Sequence, residues 1–115
     1  MATTTGDLLQ GTLSILILKA LLGGSNHGFG VARWIEATTR DVLSIEEGSL
    51  YPALNRLEDK EMIEAEWGLS ENNRRARFYS LTARGRHALQ AEAESWNRFA
   101  DAIAKVLRAS RPQTA

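Results

Sequence analysis

Cysteine is absent from this chain of 115 residues. Disulfide bonds and cysteine-ligated metal sites are therefore excluded, and a reducing compartment is compatible with the sequence. Long hydrophobic runs are missing too, since the most apolar stretch, residues 13–22, is shorter than the ~18–20 residues that span a bilayer. The N-terminus also lacks the positive charge of a secretory signal. We expect a cytoplasmic protein that does not enter membranes.

Groups that carry catalysis are equally scarce. The chain has two histidines, His27 and His87, which lie far apart in the sequence. No cysteine can act as a nucleophile, and the serines lack histidine and acid partners at a suitable spacing. The glycines in residues 27–30 follow a predicted helix rather than a strand, so they do not match a dinucleotide-binding loop. We therefore expect no enzyme, no metal site and no cofactor.

Net charge is missing as well, because the formal charge at pH 7 is zero. A neutral sum argues weakly against nucleic-acid binding, since phosphate neutralisation favours basic proteins. The charges are unevenly distributed, however. Residues 72–90 contain five arginines and no acid, whereas residues 46–66 contain seven acids against Arg56 and Lys60. The neutral total thus hides a local basic patch.

Hydrophobic periodicity predicts a mostly helical α+β chain. A first helix is apolar nearly all round, which indicates burial on most sides. Two alternating segments joined by a polar turn predict a β-hairpin, and Thr82 is suited to cap a last helix. The predicted elements are a helix from Asp7 to Gly23–Gly24, a turn at residues 25–28, a helix at 28–39, a third helix after residue 44, strands at 63–69 and 77–81 around a turn at 70–76, and a helix at 82–109.

The start of the third helix has two alternatives. Ser44 and Glu47 match a capping box, and leucines follow at helical spacing in residues 50–57. Pro52 conflicts with an early start, because it lacks an N–H and disturbs the turn behind it. Either the helix begins nearer Gly48 and Pro52 lies in its first turn, or it begins at about residue 45 with a local distortion. The early start is favoured here.

This order of elements predicts a winged helix-turn-helix domain at residues 7–81 with a two-stranded wing. A helix that reads DNA must fit the major groove and present hydrogen-bonding side chains on one face. The third helix offers four such residues on the face opposite its leucines, and a solvated polar face is an equally simple interpretation. The candidates are Ser49, Tyr51, Asn55 and Arg56.

The hairpin places arginines 74, 75 and 77 at or near an exposed tip. Arginine there can bind phosphates or enter the minor groove, where negative potential is concentrated. A solubilising turn is the alternative. The absence of acids in residues 72–90 and the adjacent third helix favour binding to double-stranded DNA.

The last helix, residues 82–110, carries apolar side chains at heptad spacing. Little of the chain is left to cover this seam, so a two-fold homodimer is the simplest solution. Packing against the first helix is the alternative, and both arrangements are compatible. Trp96 could also stack on a flat ligand near the dimer axis, although a core role is more common. The dimerisation candidates are Leu89, Trp96, Phe99, Ile103 and Leu107.

Three motifs of the chain match one family pattern. Residues 48–58, Gly-Ser-Leu-Tyr-Pro-Ala-Leu-Asn-Arg-Leu-Glu, resemble the signature of that family. Residues 27–30, His-Gly-Phe-Gly, look like its turn into the second helix. Residues 75–82, followed by Gly85, look like its wing strand and the entry to its last helix. The family that these motifs resemble is the PadR family of bacterial transcriptional regulators, and the similarity extends from about Leu8 to Leu107.

The resemblance implies a winged helix-turn-helix dimer that represses a promoter and is released by a small effector. Tyr51 corresponds to the DNA-contacting tyrosine of the family, and the arginines near the tip correspond to its basic wing. The single long C-terminal helix resembles the shorter subfamily, in which hydrophobic ligands sit between subunits near an aromatic residue. Trp96 is the candidate for that residue.

The chain departs from the family pattern at two positions. Glu61 stands where a glycine is usual near the end of the third helix, so it must end the helix in another way or accept strain. Phe29 replaces a more usual tyrosine. A winged-helix module that binds proteins and not DNA is the alternative function, because a fold does not determine a function.

Overall fold

The computed structural model describes residues 12–111. This part of the chain contains four helices and one three-stranded sheet. The elements in chain order are α1 (Leu13–Leu21), β1 (Asn26–His27), α2 (Gly28–Thr38), α3 (Glu47–Asp59), β2 (Ile63–Leu69), β3 (Arg75–Leu81) and α4 (Ala83–Arg108). Three helices, a hairpin and a long final helix make the predicted α+β winged helix-turn-helix, which the structure confirms.

Helix α1 lies at the centre of the core. Leu13, Ile17, Leu18 and Leu21 are buried on it, as its nearly continuous apolar surface predicts. The helix ends at Leu21, directly before the residues that include the predicted glycine stop. Its predicted start at Asp7 lies outside the described residues.

The core is formed where α1, α2, α3, the base of the sheet and the first turns of α4 meet. No polar or charged residue among those described is buried, so the core is held by apolar packing. The buried residues are Leu13, Ile17, Leu18, Leu21, Val31, Ala32, Ile35, Ile45, Leu50, Ala53, Leu54, Leu57, Ile63, Tyr79 and Leu89.

The sheet has three antiparallel strands in the order β1-β3-β2, one more than the predicted hairpin. The additional strand β1 occupies the predicted turn at residues 25–28, and pairs Asn26 with Tyr79 and His27 with Phe78. Two residues are too few to show an alternating pattern, so periodicity could not reveal this strand.

The hairpin is tighter than predicted. Strand β3 begins at Arg75, two residues before the predicted start at Arg77, because the turn closes early. The Ser70 N–H donates to the Arg74 carbonyl at 2.9 Å, and Asn73 adopts a left-handed φ of 58°. Asparagine tolerates this conformation better than most residues. Arg75 is therefore a strand residue paired with Leu69.

The capping box predicted at Ser44 and Glu47 is wrong. The third helix starts between the two predicted alternatives, after the favoured start at about residue 45 and before Gly48, and Pro52 lies inside it as the early start expects. Helix α3 begins at Glu47, with Glu46 as an N-cap that makes no side-chain hydrogen bond. The preceding backbone is bonded to α2 instead, because the Ile45 N–H donates to a Glu36 carboxylate oxygen at 2.9 Å.

Pro52 consequently lies inside α3, in its second turn. The proline ring has no N–H, so the carbonyl of Gly48, four residues earlier, loses its helical partner. Gly48 is exposed, and water can therefore satisfy that carbonyl. The helix tolerates the proline because the lost bond faces solvent rather than the core.

Helix α3 ends in a Schellman motif whose left-handed residue is Glu61, with φ of 60°. The Glu61 N–H donates to the Glu58 carbonyl at 2.9 Å, and the Met62 N–H donates to the Leu57 carbonyl at 3.0 Å. This is the geometry that glycine adopts without steric cost. Glu61 therefore accepts the strain and does not end the helix in another way.

Helix α4 begins as predicted. The Thr82 hydroxyl accepts the Gly85 N–H at 3.0 Å and caps the helix. A Cβ atom at Gly85 would overlap the Met62 carbonyl oxygen, so only glycine allows α4 to lie this close to the end of α3.

We expect Glu61→Gly to stabilise the fold by about 0.5–1 kcal/mol. The gain is the left-handed strain of a residue with a Cβ, less the extra unfolded-state entropy of glycine. Glu61→Ala is the matched control: it also removes the exposed contact to Arg84 at 3.5 Å, which contributes little, but keeps the Cβ. Urea unfolding gives the free energy of unfolding of the wild type and of both variants. Equal stability of the two variants would refute strain at this position.

Candidate nucleic-acid interface

Helix α3 has the two faces that its sequence predicts. Leu50, Ala53, Leu54 and Leu57 are buried against the core. The four candidate DNA-reading residues, Ser49, Tyr51, Asn55 and Arg56, are exposed on the outer surface. The helix therefore presents hydroxyl, amide and guanidinium groups to solvent.

Tyr51 is held by the start of α2. Its side chain is next to Gly28, where an added Cβ would lie 3.0 Å from Tyr51 Cε1 and 3.1 Å from the hydroxyl oxygen. The residue is nevertheless 40% exposed. The absence of a side chain at Gly28 thus lets the tyrosine ring rest on the α2 backbone while part of it remains accessible.

His27 fixes the start of α2 on which Tyr51 rests. Its Nδ1 accepts the Gly30 N–H at 3.0 Å, and its ring makes an edge contact with Phe78 on β3, with 5.4 Å between centroids. His27 is therefore a helix cap that also joins α2 to the wing. This role is structural.

Trp67 is a residue of this surface that the sequence analysis did not select. The alternation of β2 predicts that Ile63, Ala65 and Trp67 share one face, and Ile63 is buried as expected. Trp67 lies beyond the core and is 58% exposed. The Arg75 guanidinium stacks over its ring at 4.5 Å from the centroid. The sequence signal that could have identified Trp67 is a large aromatic residue near the outer end of a predicted wing strand.

The outer part of α3 and the wing face each other across an open groove of about 430 Å³. Tyr51 and Asn55 contribute to it from α3, while Trp67, Arg75 and Arg77 contribute from the wing. Members of two candidate sets, the α3 residues and the wing arginines, are thereby brought together on one surface. Ser49 and Arg56 do not line this groove.

Arg74 lies in a second open groove, between the wing tip and the start of α2. That groove also contains Phe29, Arg33 and the acidic residue Glu71. The Arg33 guanidinium lies 5.7 Å from the centroid of the Phe29 ring. The wing tip is thus basic on balance, with one acid in its turn.

Arg77 differs from the other two wing arginines because it is paired within the chain. Its Nη2 donates to Glu58 Oε2 on α3 at 2.8 Å. The guanidinium also lies 5.9 Å from the centroid of the Tyr79 ring. Arg77 is therefore not a free basic side chain, and its predicted contact with DNA stays a prediction.

The last helix divides into two halves. Leu89, predicted as a dimerisation residue, is instead buried in the core of the same chain, because the first turns of α4 cover α1. The other four candidates are exposed on the distal half, and Trp96 and Phe99 lie 5.9 Å apart by their ring centroids. The exposed apolar residues of this half are Trp96, Phe99, Ile103, Val106 and Leu107.

The described residues include no group of three or more metal-ligating side chains that could hold a metal ion. None of the helices in residues 12–111 combines the length and the apolar character needed to cross a membrane.

The sequence model of the transcriptional regulator PadR-like family matches residues 17–91. The chain belongs to this family. Protein X of Lysinibacillus sphaericus is 30% identical over 90 residues, which cover 78% of this chain and 83% of the relative. The family gives this chain the role of a transcriptional regulator.

Solved structures agree with the PadR-like fold. A transcriptional regulator from Clostridium thermocellum has a TM-score of 0.78 and 28% identity, covering 86% of this chain and 96% of its own. A PadR family transcription regulator from Clostridium difficile has a TM-score of 0.71 and 26% identity, covering 84% of this chain and 99% of its own.

Tyr79, a buried residue of the core, lines the groove and carries a titratable hydroxyl. Burial raises the pKa of the Tyr79 hydroxyl above its ordinary value of 10.0; Arg77 opposes the shift, and Glu58 and Tyr51 add to it. A tyrosine in the unfolded chain ionises near pH 10, while Tyr79 stays neutral to a higher pH in the folded chain. Its contribution to stability is therefore present below pH ~10 and is lost as the pH rises above it.

We expect Tyr79→Phe to reduce this alkaline loss, because phenylalanine fills the same space and does not ionise. Urea unfolding at about pH 8 and about pH 11 gives the change in free energy for both proteins. An equally large loss in the variant would show that Tyr79 does not cause the alkaline sensitivity.

Proposed function

We propose that this PadR-like chain is a homodimeric DNA-binding repressor of a palindromic operator. The observation that carries the proposal is the groove that joins the exposed residues of α3 to the arginine-bearing face of the wing. One element can enter the major groove while the other reaches the flanking backbone. Repression, and release by a small hydrophobic or aromatic effector, follow from the resemblance to the family.

Helix α3 is the part that reads sequence in this proposal. An α-helix fits the major groove of B-DNA, where base edges present distinct donor and acceptor patterns. Asn55 supplies an amide that can bond adenine, and Ser49 and Tyr51 supply hydroxyls. Arg56 adds a guanidinium suited to guanine or phosphate. Because the buried leucines fix the helix from behind, these groups project from a rigid support.

The wing gives salt-dependent affinity. Arg75 is stacked on Trp67, so part of its side-chain entropy is already lost before DNA binds. A preorganised guanidinium is a better phosphate or minor-groove ligand than a mobile one. Arg74 is exposed at the tip and can make a second contact.

A homodimer through the distal half of α4 completes the regulator. The exposed apolar residues recur along one helix, as they do in helix-to-helix interfaces. A second copy offers the same seam, which a two-fold axis makes self-complementary. We assign residues 82–89 to the DNA-binding domain, since Gly85 and Leu89 are buried there, and residues 90–110, which include the rest of α4, to dimerisation.

Trp96 is the proposed effector contact. It lies on the dimer seam next to Phe99, and two flat rings at a subunit interface suit a hydrophobic or aromatic molecule. Such a molecule could alter the relative position of the two DNA-binding domains and thereby release the operator.

We expect Arg75→Ala to weaken binding to duplex DNA of any sequence and to reduce the slope of log affinity against log salt by about one unit, because one phosphate contact is lost. Arg108→Ala is the matched control at the far end of α4, and its slope should stay at the wild-type value. An unchanged slope for Arg75→Ala would remove this arginine from the phosphate contacts. If the wild-type protein does not bind DNA even at low salt, the protein-interaction module becomes the better proposal.

We expect Ile103→Glu to raise the dimer dissociation constant by about 100-fold or more, because a carboxylate without a partner would be buried in the seam. Lys105→Glu introduces the same group at an exposed polar position and should leave the dimer intact. Analytical ultracentrifugation distinguishes the two results. A dimer that survives Ile103→Glu would place the interface elsewhere.

A further inference from the structure

We propose that Arg77 is a positioning residue that, together with Glu58, braces the wing against the recognition helix α3. This inference rests on the proposed DNA binding and assigns Arg77 a different role from Arg74 and Arg75. We call the pair of side chains the Glu58–Arg77 brace. It determines where the wing arginines stand relative to Tyr51 and Asn55.

The brace joins two elements that are far apart in sequence. Glu58 lies in the last turn of α3 and Arg77 in the middle of β3, 19 residues later, with 2.8 Å between Oε2 and Nη2. The side chains are 31% and 38% exposed. Both are partly withdrawn from water, so solvent and salt screen this pair less than a fully exposed one.

The surroundings of Arg77 also favour an internal role. Its guanidinium lies 5.9 Å from the ring centroid of the buried Tyr79, and Trp67 is its partner in the β2–β3 register. A guanidinium that is already paired with a carboxylate belongs to a neutral pair, so it neutralises a phosphate less well than an unpaired one. The exposed Arg75, stacked on Trp67 and not on an acid, is the better phosphate ligand.

The brace links α3 to the wing strands through polar side chains. Among residues 12–111, no other side-chain hydrogen bond or ion pair joins α3 to β2 or β3. Towards the core, α3 and β2 are joined by backbone bonds at the end of the helix, such as Met62 to Leu57, and by apolar packing around Ile63. The outer part of the hairpin could therefore pivot about this connection if the brace were absent.

Two physical effects predict opposite results when Glu58 is removed. Glu58 is an acid beside the proposed DNA-binding groove, so electrostatics alone predicts that Glu58→Ala tightens DNA binding. A brace predicts the reverse, because the wing would lose its fixed position and ordering it on DNA would cost conformational entropy. The sign of the change therefore distinguishes the brace from simple charge repulsion.

The experiment measures binding of the full chain to one duplex over a range of salt concentrations. We expect Glu58→Ala and Arg77→Ala each to weaken binding roughly five-fold with the salt slope unchanged. The double variant should bind no more weakly than either single variant, because both remove the same interaction. Glu58→Gln keeps an oxygen that can accept from Arg77 and should lose less affinity.

Asp59→Ala is the matched control, since Asp59 carries the same charge one residue later and forms none of the described ion pairs of residues 12–111. Its affinity should be equal to or higher than that of the wild type. Hydrogen exchange of the β2 and β3 amides in the DNA-free protein gives a second readout. Both brace variants should exchange faster there, and Asp59→Ala should not.

Three results would overturn the brace. A salt slope reduced by about one unit in Arg77→Ala, as expected for Arg75→Ala, would make Arg77 a phosphate contact. Tighter binding by Glu58→Ala would mean that the carboxylate only repels DNA. Unchanged wing exchange in both brace variants would show that the pair does not hold the hairpin. If the wild-type protein binds no DNA, the proposed function fails, and the exchange data alone then decide whether the brace exists.

Discussion

The junction Glu61–Met62 is the constraint on which the relative placement of α3, the wing and α4 depends. Glu61 in the left-handed region turns the chain out of α3, and the Met62 N–H closes the helix by bonding to Leu57. From the other side, the Thr82 hydroxyl donates to the Glu61 carbonyl at 2.6 Å, and Gly85 lies against the Met62 carbonyl. Two residues thus connect three elements through their backbone groups.

The groove between α3 and the wing follows from this junction. Strand β2 leaves the junction directly after α3, and with the Glu58–Arg77 brace in place Trp67 and the cross-strand residues of β3 face the exposed side of α3. The same geometry brings Glu58 and Arg77 within 2.8 Å. A glycine at position 61 would relieve the local strain, yet the chain adopts the same turn with glutamate, which shows that tertiary packing fixes this conformation more strongly than local preference.

The fold was predictable from sequence where the signal is repeated along an element. Helices α2 and α4 begin and end within about one residue of their predicted bounds. Hydrophobic periodicity indicates both helices, and the Thr82 cap marks the start of α4. The start of α3 was not predictable, since the competing bond from Ile45 to Glu36 joins residues nine positions apart. The exposed candidates on α3 followed from its leucine spacing, whereas the pairing of Arg77 and the burial of Leu89 depend on tertiary contacts.

A chain with zero formal charge can present a basic surface because charges act locally in salt solution. Screening limits the reach of an exposed charge to about 8–10 Å at moderate ionic strength. Glu58 on α3 is neutralised by Arg77, which lines the groove. Glu64 and Glu66 alternate with Ala65 and Trp67 along β2, so they belong to the opposite face of the sheet. The charge that DNA would meet is therefore set by the face on which each acid lies, and the formal total carries little information about binding.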